Sequence, residues 1–329
     1  MSKRSVIVQT IILLFSLTVV LTAIPCLAAP PQTLAFSGGP NGGTFQFFSN
    51  GIATRLTRME DGLEVINLPS AGSVENIRRI NSGDADFGVA YAGDIFLARK
   101  GLLTNDQQSY QNVLALAYLY GAPVQLVVLE DSPIKIVYDL IGKKVTVGGA
   151  GSGSAATAER YFKALGIWDQ LNIEFIGYSM AAAALSERRI DAMWILAGFP
   201  TAAVQQAAAK NQVRLLDVWT PAQENGFFNK FPFYSDVTIP GKTYNNVNEP
   251  MKSFQDSAIW IAGKQVPAES VQSALKNIFS PEGLDYMVKV KKTAREMSIK
   301  AALNGIVTPV HPGAKSFWQG KGLRFFPAD

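Results

Sequence analysis

The stretch at residues 143–162 is the one best suited to hold an anion. An apolar run at residues 144–147 leads into a glycine-rich turn, and Ser154 then opens an Ala-rich segment with helical spacing. A strand that reaches a helix through a glycine turn presents free backbone N–H groups and the positive end of the helix dipole. The serine hydroxyls beside this turn suit the same chemistry.

Four loops of the chain share this composition. Each is rich in Gly, Ser or Ala, follows an apolar run and precedes a helical pattern; they lie at residues 37–44, 69–73, 148–154 and 196–200. In open α/β sheets, ligands bind beyond the carboxyl ends of the strands, where such loops converge. One loop alone is usually a plain strand-to-helix turn, but four together favour a binding site. Charge-assisted bonds from N–H and hydroxyl groups contribute about 1.5–3 kcal/mol each, so a carboxylate needs no arginine.

The elements that must position these loops follow an α/β pattern, because short apolar runs alternate with amphipathic segments from Leu34 onward. Helical spacing predicts one buried face at Phe48, Ile52, Leu56 and Met59, and the region at residues 221–246 is predicted to be irregular. Strands are predicted at residues 34–37, 63–68, 86–91, 113–120, 124–129, 144–147, 173–176, 190–195, 213–218 and 257–262. Ser73 and Thr201 are predicted to cap the helices that follow them.

Residues 1–28 are expected to be a cleaved signal peptide. Lys3 and Arg4 precede an apolar run at residues 6–24, and small residues, Cys26 and Ala28, occupy the positions before a signal-peptidase site. An uncleaved membrane anchor is the alternative, since the run is nearly long enough to span a bilayer. Cleavage removes the only cysteine and two of 30 Lys and Arg residues, which leaves the chain nearly balanced against 26 Asp and Glu. The mature chain therefore has no disulfide and no nucleic-acid footprint.

The enzyme alternative depends on the turn from Gly151 to Ala156. This turn fits the G-x-G-x-x-A dinucleotide fingerprint, and Glu174 lies about twenty residues further on, where a ribose-binding acid is wanted. An exported Rossmann-like oxidoreductase is therefore the rival function. The export signal disfavours it, because soluble nicotinamide cofactors are scarce outside the cytoplasm.

Other catalytic groups have simpler structural interpretations. His311 is the only histidine, and its place in a proline-rich turn favours a structural hydrogen-bonding role. Asp84 and Asp86 could form a hard-cation pair, but a turn and a strand start explain them better. One histidine and no mature cysteine disfavour a zinc site. We expect no cofactor, no metal and no enzymatic activity.

Eight motifs occur in a fixed order along the chain, and together they resemble the TAXI family of solute receptors for TRAP transporters. They are Ser37-Gly-Gly-Pro-Asn-Gly-Gly-Thr-Phe, Ser70-Ala-Gly-Ser-Val-Glu-Asn-Ile-Arg, Ser82-Gly-Asp-Ala-Asp-Phe, Gly142-Lys-Lys-Val-Thr-Val-Gly, Gly151-Ser-Gly-Ser, Arg189-Ile-Asp-Ala, Ala197-Gly-Phe-Pro and His311-Pro-Gly-Ala. The resemblance covers residues 34–318. It implies a type II periplasmic-binding-protein fold, in which two α/β lobes joined by hinge strands close on a ligand in the cleft between them.

The resemblance also implies a set of ligand-binding residues, carried over motif by motif. They are Gly42, Thr44, Phe45, Ser70, Gly72, Ser73, Asn76, Ser152, Ser154, Ala197, Gly198 and Pro200. Tyr91 is added to the binding set because it and Phe45 could stack on the ligand or fence it, although either could instead belong to the core. Gln46, Phe47 and the segment from Tyr91 to Asp94 depart from the family pattern, so glutamate itself is not assumed.

We therefore expect a periplasmic, monomeric receptor for a small organic acid, either a glutamate-like amino acid or a dicarboxylate such as 2-oxoglutarate. The resemblance implies a TRAP-type membrane permease as the partner; a binding protein for an ABC importer or a sensor kinase is the alternative. The predicted organisation is a signal peptide at residues 1–28, lobe 1 at 29–121, lobe 2 at 122–224, and a return to lobe 1 at 225–329 with the hinge and C-terminal helices.

Overall fold

The computed structural model describes residues 32–104 and 106–325, so the predicted signal peptide lies outside the described residues. Strands and helices alternate along most of the chain. The strands are β1 Gln32–Ser37, β2 Leu63–Leu68, β3 Phe87–Tyr91, β4 Val113–Leu129, β5 Lys144–Thr146, β6 Asn172–Glu174, β7 Ala192–Leu196, β8 Val213–Leu216, β9 Ser235–Ile239 and β10 Met251–Gly263.

The helices lie between these strands and at the C-terminal end of the described chain. They are α1 Thr44–Met59, α2 Ser73–Ser82, α3 Ala92–Arg99, α4 Gly153–Ala164, α5 Tyr178–Ser186, α6 Ala202–Lys210, α7 Trp219–Glu224, α8 Phe227–Lys230, α9 Ala268–Ile278, α10 Pro281–Val290 and α11 Pro312–Gly320. Short 3-10 helices occur at Val137–Leu140, Trp168–Gln170 and Lys292–Glu296. None of the helices in the described ranges is long and apolar enough to cross a membrane.

The ten strands form one continuous sheet in the order β2-β1-β3-β10-β4-β7-β5-β6, with β8 beside β4 and β9 beside β10. In lobe 1, β1 pairs in parallel with β2 and β3; in lobe 2, β5 pairs in parallel with β6 and β7. The antiparallel strands β4 and β10 join the two parallel groups. The chain therefore has the two-lobed α/β architecture with hinge strands that the sequence predicts.

Strand β4 corrects the prediction of two separate strands at residues 113–120 and 124–129. It is one strand of 17 residues, and every one of them is buried. Its first part pairs with β10, while residues Val124 to Leu129 pair with β7 and β8. The residues at Gly121, Ala122 and Pro123 looked like a break in the sequence, but they continue the pairing with β10 and carry the chain from lobe 1 into lobe 2.

The predicted helix faces are mostly buried. Phe48, Ile52 and Leu56 of α1 have no exposed surface, whereas Met59 is 58 % exposed. Met59 is the last residue of α1, where the chain turns into an extended conformation at Glu60, so the helical period no longer directs it inward. The apolar face of α2 is buried as predicted.

Two other local predictions need correction. Gly72, not Ser73, is the N-cap of α2, because its positive φ of 128° suits glycine and turns the chain into the helix. The region at residues 221–246 is not irregular throughout: it contains part of α7, all of α8 and β9. Its aromatic residues pack on lobe 2, where the rings of Phe227 and Tyr161 lie 5.8 Å apart. Phe-rich segments of this kind form short helices because burial of the rings compensates for weak helix propensity.

Candidate functional site

A small cavity lies between the lobes, where the loops that follow several parallel strands converge. Eight of the predicted ligand-binding residues form part of its wall: Thr44, Phe45, Gly72, Ser73, Tyr91, Ser152, Ser154 and Ala197. They come from the carboxyl ends of β1, β2, β3, β5 and β7. The four predicted loops therefore meet at one place, as expected for an α/β sheet that binds ligands at this edge.

The lobes lie against each other at this cavity. The Tyr91 hydroxyl donates to the carbonyl of Leu196 at 2.6 Å, and Thr44 Oγ1 donates to the carbonyl of Gly198 at 3.2 Å. The Glu75 amide donates to the Gly151 carbonyl at 3.0 Å. The cavity volume among these groups is about 10 Å³, which is room for about one water molecule. The structure thus shows a closed cleft.

Four helices point their N-termini at the cavity. The wall includes Thr44, Ser73, Gly153 and Tyr178, which are the first residues of α1, α2, α4 and α5. Glycine is the N-cap of α1, α2 and α5, so no side chain there satisfies the first helical N–H groups. Because first-turn N–H groups have no acceptor within their own helix, the ends of these helices give the cavity a positive potential without any cationic side chain.

Three serine hydroxyls add hydrogen-bond donors to the same wall. Ser73 Oγ accepts from the Tyr91 amide at 2.9 Å, and Ser152 Oγ accepts from the Ala155 amide at 3.0 Å as the N-cap of α4. A hydroxyl that accepts such a bond can still donate its own proton. The wall therefore offers O–H donors from both lobes.

Among the three serines, Ser154 has the hydroxyl that is most available to bind a ligand, although the residue is only 1 % exposed to solvent. Its Oγ lies beside the Tyr178 hydroxyl but forms no hydrogen bond of standard geometry with any described residue. The neighbouring Tyr178 hydroxyl donates to the Leu196 carbonyl at 3.0 Å and accepts from the Leu196 amide at 3.3 Å, so it is already engaged. A buried hydroxyl without a partner is costly, and a ligand acceptor in the cavity would relieve that cost.

Aromatic rings close one side of the cavity. Phe45 and Tyr91, both 4 % exposed, have ring centroids 4.7 Å apart. Burial raises the pKa of the Tyr91 hydroxyl well above its ordinary value, so the group stays neutral and acts as a donor to Leu196. Both rings line the cavity and belong to the hydrophobic core, and their contact with a ligand stays a prediction.

Five predicted ligand-binding residues lie outside the wall of this cavity: Gly42, Ser70, Asn76, Gly198 and Pro200. The Asn76 amide nitrogen donates to the carbonyls of Gly38 and Val89 at 2.7 Å each, and its oxygen accepts from Ser37. The Asn76 side chain thus fixes the first loop through its hydrogen bonds to Ser37 and Gly38.

The other four residues have different surroundings. Gly42 faces Ser179 of the opposite lobe, and Ser70 is half-buried in the second loop. The carbonyl of Gly198 accepts from Thr44, and that of Pro200 accepts from Lys291 Nζ at 2.9 Å. Whether any of them contacts a ligand stays a prediction.

Six residues of the wall were not among the predicted ligand-binding residues: Pro40, Gly43, Ala71, Gly153, Tyr178 and Leu196. Tyr178 matters most, since it brings a fifth strand-to-helix turn to the cavity. Gly177 follows β6 and caps α5, so the same glycine-turn signal was present in the sequence.

The remaining chemical candidates have structural contacts. His311 is the N-cap of α11: its Nδ1 accepts from the Gly313 amide at 3.1 Å, and its Nε2 lies 3.1 Å from the Val266 carbonyl. This agrees with the hydrogen-bonding role predicted for it. Asp86 Oδ2 accepts from the Ala35 amide at 2.8 Å, and Asp84 accepts from Ser82 Oγ. The described ranges contain no group of three His, Cys, Asp or Glu residues placed to hold a metal ion.

The fold and the cleft together define the class of two-lobed periplasmic-binding-protein folds of type II. Similar solved structures include one from work on glutathione import through GshT and the cystine ABC importer TcyBC of Streptococcus mutans, which has a TM-score of 0.51 and 13 % identity over 80 % of this chain and 95 % of that one. The aliphatic sulphonate binding protein SsuA of Escherichia coli matches with a TM-score of 0.45 and 17 % identity over 88 % of this chain and 83 % of that one. At these identities the likeness concerns the fold.

Residues 36–322 match the model of the NMT1-like family, so the chain belongs to that family. The match spans both lobes and every loop of the cavity wall. Neither the family match nor these two structures identifies a TRAP transporter.

Proposed function

We propose that this protein is an exported receptor that binds a small organic acid in the cleft between its lobes and delivers it to a membrane permease. The proposal includes no enzymatic step. The ligand enters an open cleft, and closure brings the Ser152 and Ser154 loop of lobe 2 against the Thr44 and Ser73 loops of lobe 1. We expect the receptor to work as a monomer in the periplasm.

One observation carries this proposal. Four helix N-termini and the hydroxyl of Ser154, which is buried and has no partner among the described residues, converge on a cavity between two lobes that are joined by hinge strands. Backbone N–H groups at helix N-termini bind anions without further help. A micromolar complex requires only about 8 kcal/mol, which a few charge-assisted hydrogen bonds and lobe closure can supply.

The ligand class follows from the groups in the wall. The hydroxyls and helix ends favour a carboxylate, and the rings of Phe45 and Tyr91 favour an apolar or planar body next to it. Our finer proposal, which derives from the motif resemblance, is a glutamate-like amino acid or a dicarboxylate such as 2-oxoglutarate. In the closed conformation this cavity has room for about one water molecule, so the lobes must separate to admit such an acid.

We propose a TRAP-type permease as the partner because the eight ordered motifs resemble that family. The similar structure from Streptococcus mutans comes from work on an ABC importer, so an ABC importer is the second candidate partner. Uptake into proteoliposomes that contain the candidate permease separates the two. Transport driven by a sodium or proton gradient without ATP supports the TRAP proposal, and a requirement for ATP overturns it.

The test of the receptor function is a thermal-shift screen of the chain that starts at Ala29. The panel holds L-glutamate, L-glutamine, 2-oxoglutarate, C4 dicarboxylates, neutral sugars and NAD(H). A ligand present at one hundred times its dissociation constant stabilises the folded state by about 2.7 kcal/mol, which raises the unfolding midpoint by several degrees.

The outcomes of the screen separate the candidate functions. A shift from one class of acids, absent with sugars, supports the receptor and names its ligand class. A response to NAD(H) alone overturns it in favour of the oxidoreductase, whose fingerprint segment from Gly151 to Ala156 spans the end of the β5–α4 loop and the first turn of α4. The Gly151 carbonyl of that segment, however, accepts from Glu75 of the opposite lobe, which favours a role in closure.

A further inference from the structure

Three buried ionisable side chains meet behind the cavity wall. Asp94 lies on α3, Arg160 on α4 and Asp256 on β10, and their exposed fractions are 0 %, 7 % and 1 %. Arg160 Nη2 donates to Asp94 Oδ1 at 2.9 Å. None of the three belongs to the wall of the cavity.

This ion pair connects the two lobes. Helix α3 follows β3 in lobe 1, and helix α4 follows β5 in lobe 2. Each of the other ion pairs between described residues has both side chains at least 14 % exposed. Among the ion pairs of the described residues, Arg160–Asp94 is thus the one shielded from water, while surface pairs contribute little to stability.

The surrounding contacts fix the geometry of the pair. Arg160 Nε donates to the Tyr234 hydroxyl at 3.0 Å, and Arg160 Nη2 also donates to Thr157 Oγ1 at 3.0 Å. The carboxylate of Asp256 accepts from the amides of Gly93 and Ser257. Burial of Arg160 is therefore supported by donors and acceptors on the segments packed around it.

The pair also lies directly beneath the loop that binds the proposed ligand. A Cβ atom built on Gly153 would be 2.4 Å from Asp94 Oδ2, so Asp94 contacts the first residue of α4. Residues on either side of Gly153, Ser152 and Ser154, supply hydroxyls to the wall. A change in the separation of α3 and α4 at this pair would therefore shift these hydroxyls relative to lobe 1.

The charges in this cluster balance when one acid is neutral. Burial and the nearby charge of Asp94 raise the pKa of Asp256 to about 8, so Asp256 keeps its proton at neutral pH. Burial also keeps the Tyr234 hydroxyl neutral, because it raises the pKa of that group. Asp94 is then the counter-ion of Arg160 in the closed state.

We propose that the Arg160–Asp94 ion pair is a latch between the lobes, which sets the equilibrium between the open and closed cleft and so tunes ligand affinity without contact with the ligand. This inference rests on the proposed receptor function for its link to affinity. Removal of one partner leaves an uncompensated charge that is buried only in the closed state. Loss of one partner therefore opens the cleft more than loss of both does.

The test measures the distance between the lobes directly. Cys26 is the only cysteine of the sequence, so a chain that starts at Ala29 can carry spin labels at Met59→Cys on lobe 1 and Tyr138→Cys on lobe 2. Both positions are exposed, at 58 % and 44 %. Pulsed electron–electron double resonance then reports the distance distribution of the unliganded protein. The same measurement is repeated with L-glutamate or 2-oxoglutarate at about 10 mM, a concentration that saturates even a weak site.

The latch predicts a specific order among variants. Arg160→Gln raises the ratio of open to closed protein at least about tenfold, and Arg160→Lys raises this ratio by a smaller factor. In the double variant that combines Asp94→Asn with Arg160→Gln, the ratio returns most of the way to that of wild type. Arg188→Gln is the matched control, because Arg188 pairs with Asp131 within lobe 2 and both side chains are more than 60 % exposed. It should leave the distances unchanged. Circular dichroism verifies that each variant is folded.

The outcomes separate the latch from the receptor function. Equal distance distributions for wild type and Arg160→Gln overturn the latch, even if an acid binds both. An opened cleft in Arg160→Gln, with recovery in the double variant, supports the latch even if no acid in the panel binds. A double variant that is as open as Arg160→Gln also overturns it, since the effect would then come from lost packing.

Discussion

The wall of the cavity and the ionic cluster behind it differ in the kind of group that they contain: the wall has neutral hydrogen-bond donors, and the cluster has ionised side chains. The wall offers helix N-termini and hydroxyls, and its lining residues include no Lys, Arg, Asp or Glu. The cluster of Asp94, Arg160 and Asp256 contains a buried ion pair, and none of its residues lies in the cavity wall. Recognition of the proposed ligand and closure around it are thus assigned to different residues.

The difference has a physical reason. A cationic side chain in the wall would attract any acidic side chain of the opposite lobe. Closure without ligand would then neutralise the cation in an ion pair, and it would no longer be available to the ligand. Neutral donors held by backbone geometry remain available for an anion and need no reorganisation when it arrives. Full charges are instead placed where they meet only when the lobes meet, because a buried pair specifies one geometry strongly while stabilising it little.

The largest expected effect comes from Gly153, where the two regions touch. A Cβ atom at this position would lie 2.4 Å from Asp94 Oδ2, 2.5 Å from Tyr91 and 2.7 Å from Ser73 Cβ, all in lobe 1. Gly153→Ala should therefore prevent full closure and weaken binding of the acid about 100-fold, as expected from an overpacking cost of about 3 kcal/mol. Isothermal titration calorimetry measures this change.

Gly149→Ala is the matched control in the same loop. Its added Cβ would lie 3.6 Å from Ala71 Cβ, which is ordinary contact, so affinity should stay near that of wild type. Equal affinities for Gly153→Ala and wild type would show that binding does not need the closed contact of this loop with Asp94, Tyr91 and Ser73.

The next effect concerns pH and the charged cluster. The pKa of Asp256, raised to about 8 by burial and by Asp94, means that the folded state holds a proton that the unfolded chain loses near pH 4. Stability from this group is fully present below pH 4, falls by at most about 1.4 kcal/mol per pH unit, and is lost by about pH 8. Asp256→Asn should flatten this decline between pH 5 and 8 in thermal unfolding.

The exposed Asp285 provides the control for this prediction, since Asp285→Asn changes the same chemistry outside the cluster. It should leave the pH dependence of the unfolding midpoint as in wild type. A pH profile of Asp256→Asn that follows wild type would mean that Asp256 is ionised in the folded protein at neutral pH.

The smallest expected effect lies far from both regions. His311→Ala removes the acceptor of the Gly313 amide at the N-terminus of α11 and should destabilise the fold by about 1 kcal/mol. The dissociation constant of the acid should not change. A loss of affinity in a folded His311→Ala protein would reopen a direct role of the histidine at the site.

Much of the site could be predicted because each binding loop has a local signature. Glycines at the end of an apolar run, followed by Ser or Thr and a helical pattern, mark a strand, a turn and a helix N-terminus within about ten residues. The loops of Thr44, Ser73 and Ser154 were found in this way, the residues themselves were assigned from the motif resemblance, and all three line the cavity. The two-lobed fold was predicted from the same alternation together with the ordered motifs.

The cluster could not be predicted because its members meet only in three dimensions. Arg160 lies on a helix among Ala, Glu and Tyr residues, where a charged residue usually faces solvent, and its partner Asp94 is 66 residues away. The continuity of β4 was missed for a similar reason: Gly121 and Pro123 break a local pattern, but pairing with β10 overrides it.

The most direct test of the account compares wild type with Ser154→Ala in calorimetric titrations of L-glutamate, 2-oxoglutarate and a C4 dicarboxylate. Ser154 Oγ forms no hydrogen bond of standard geometry with the described residues, so its removal should not lower the unfolding midpoint of the unliganded protein. The account predicts that one acid binds wild type and binds Ser154→Ala about 10- to 100-fold more weakly, the loss of one charge-assisted hydrogen bond. An acid that binds both proteins equally would contradict the assignment of this cavity as the binding site.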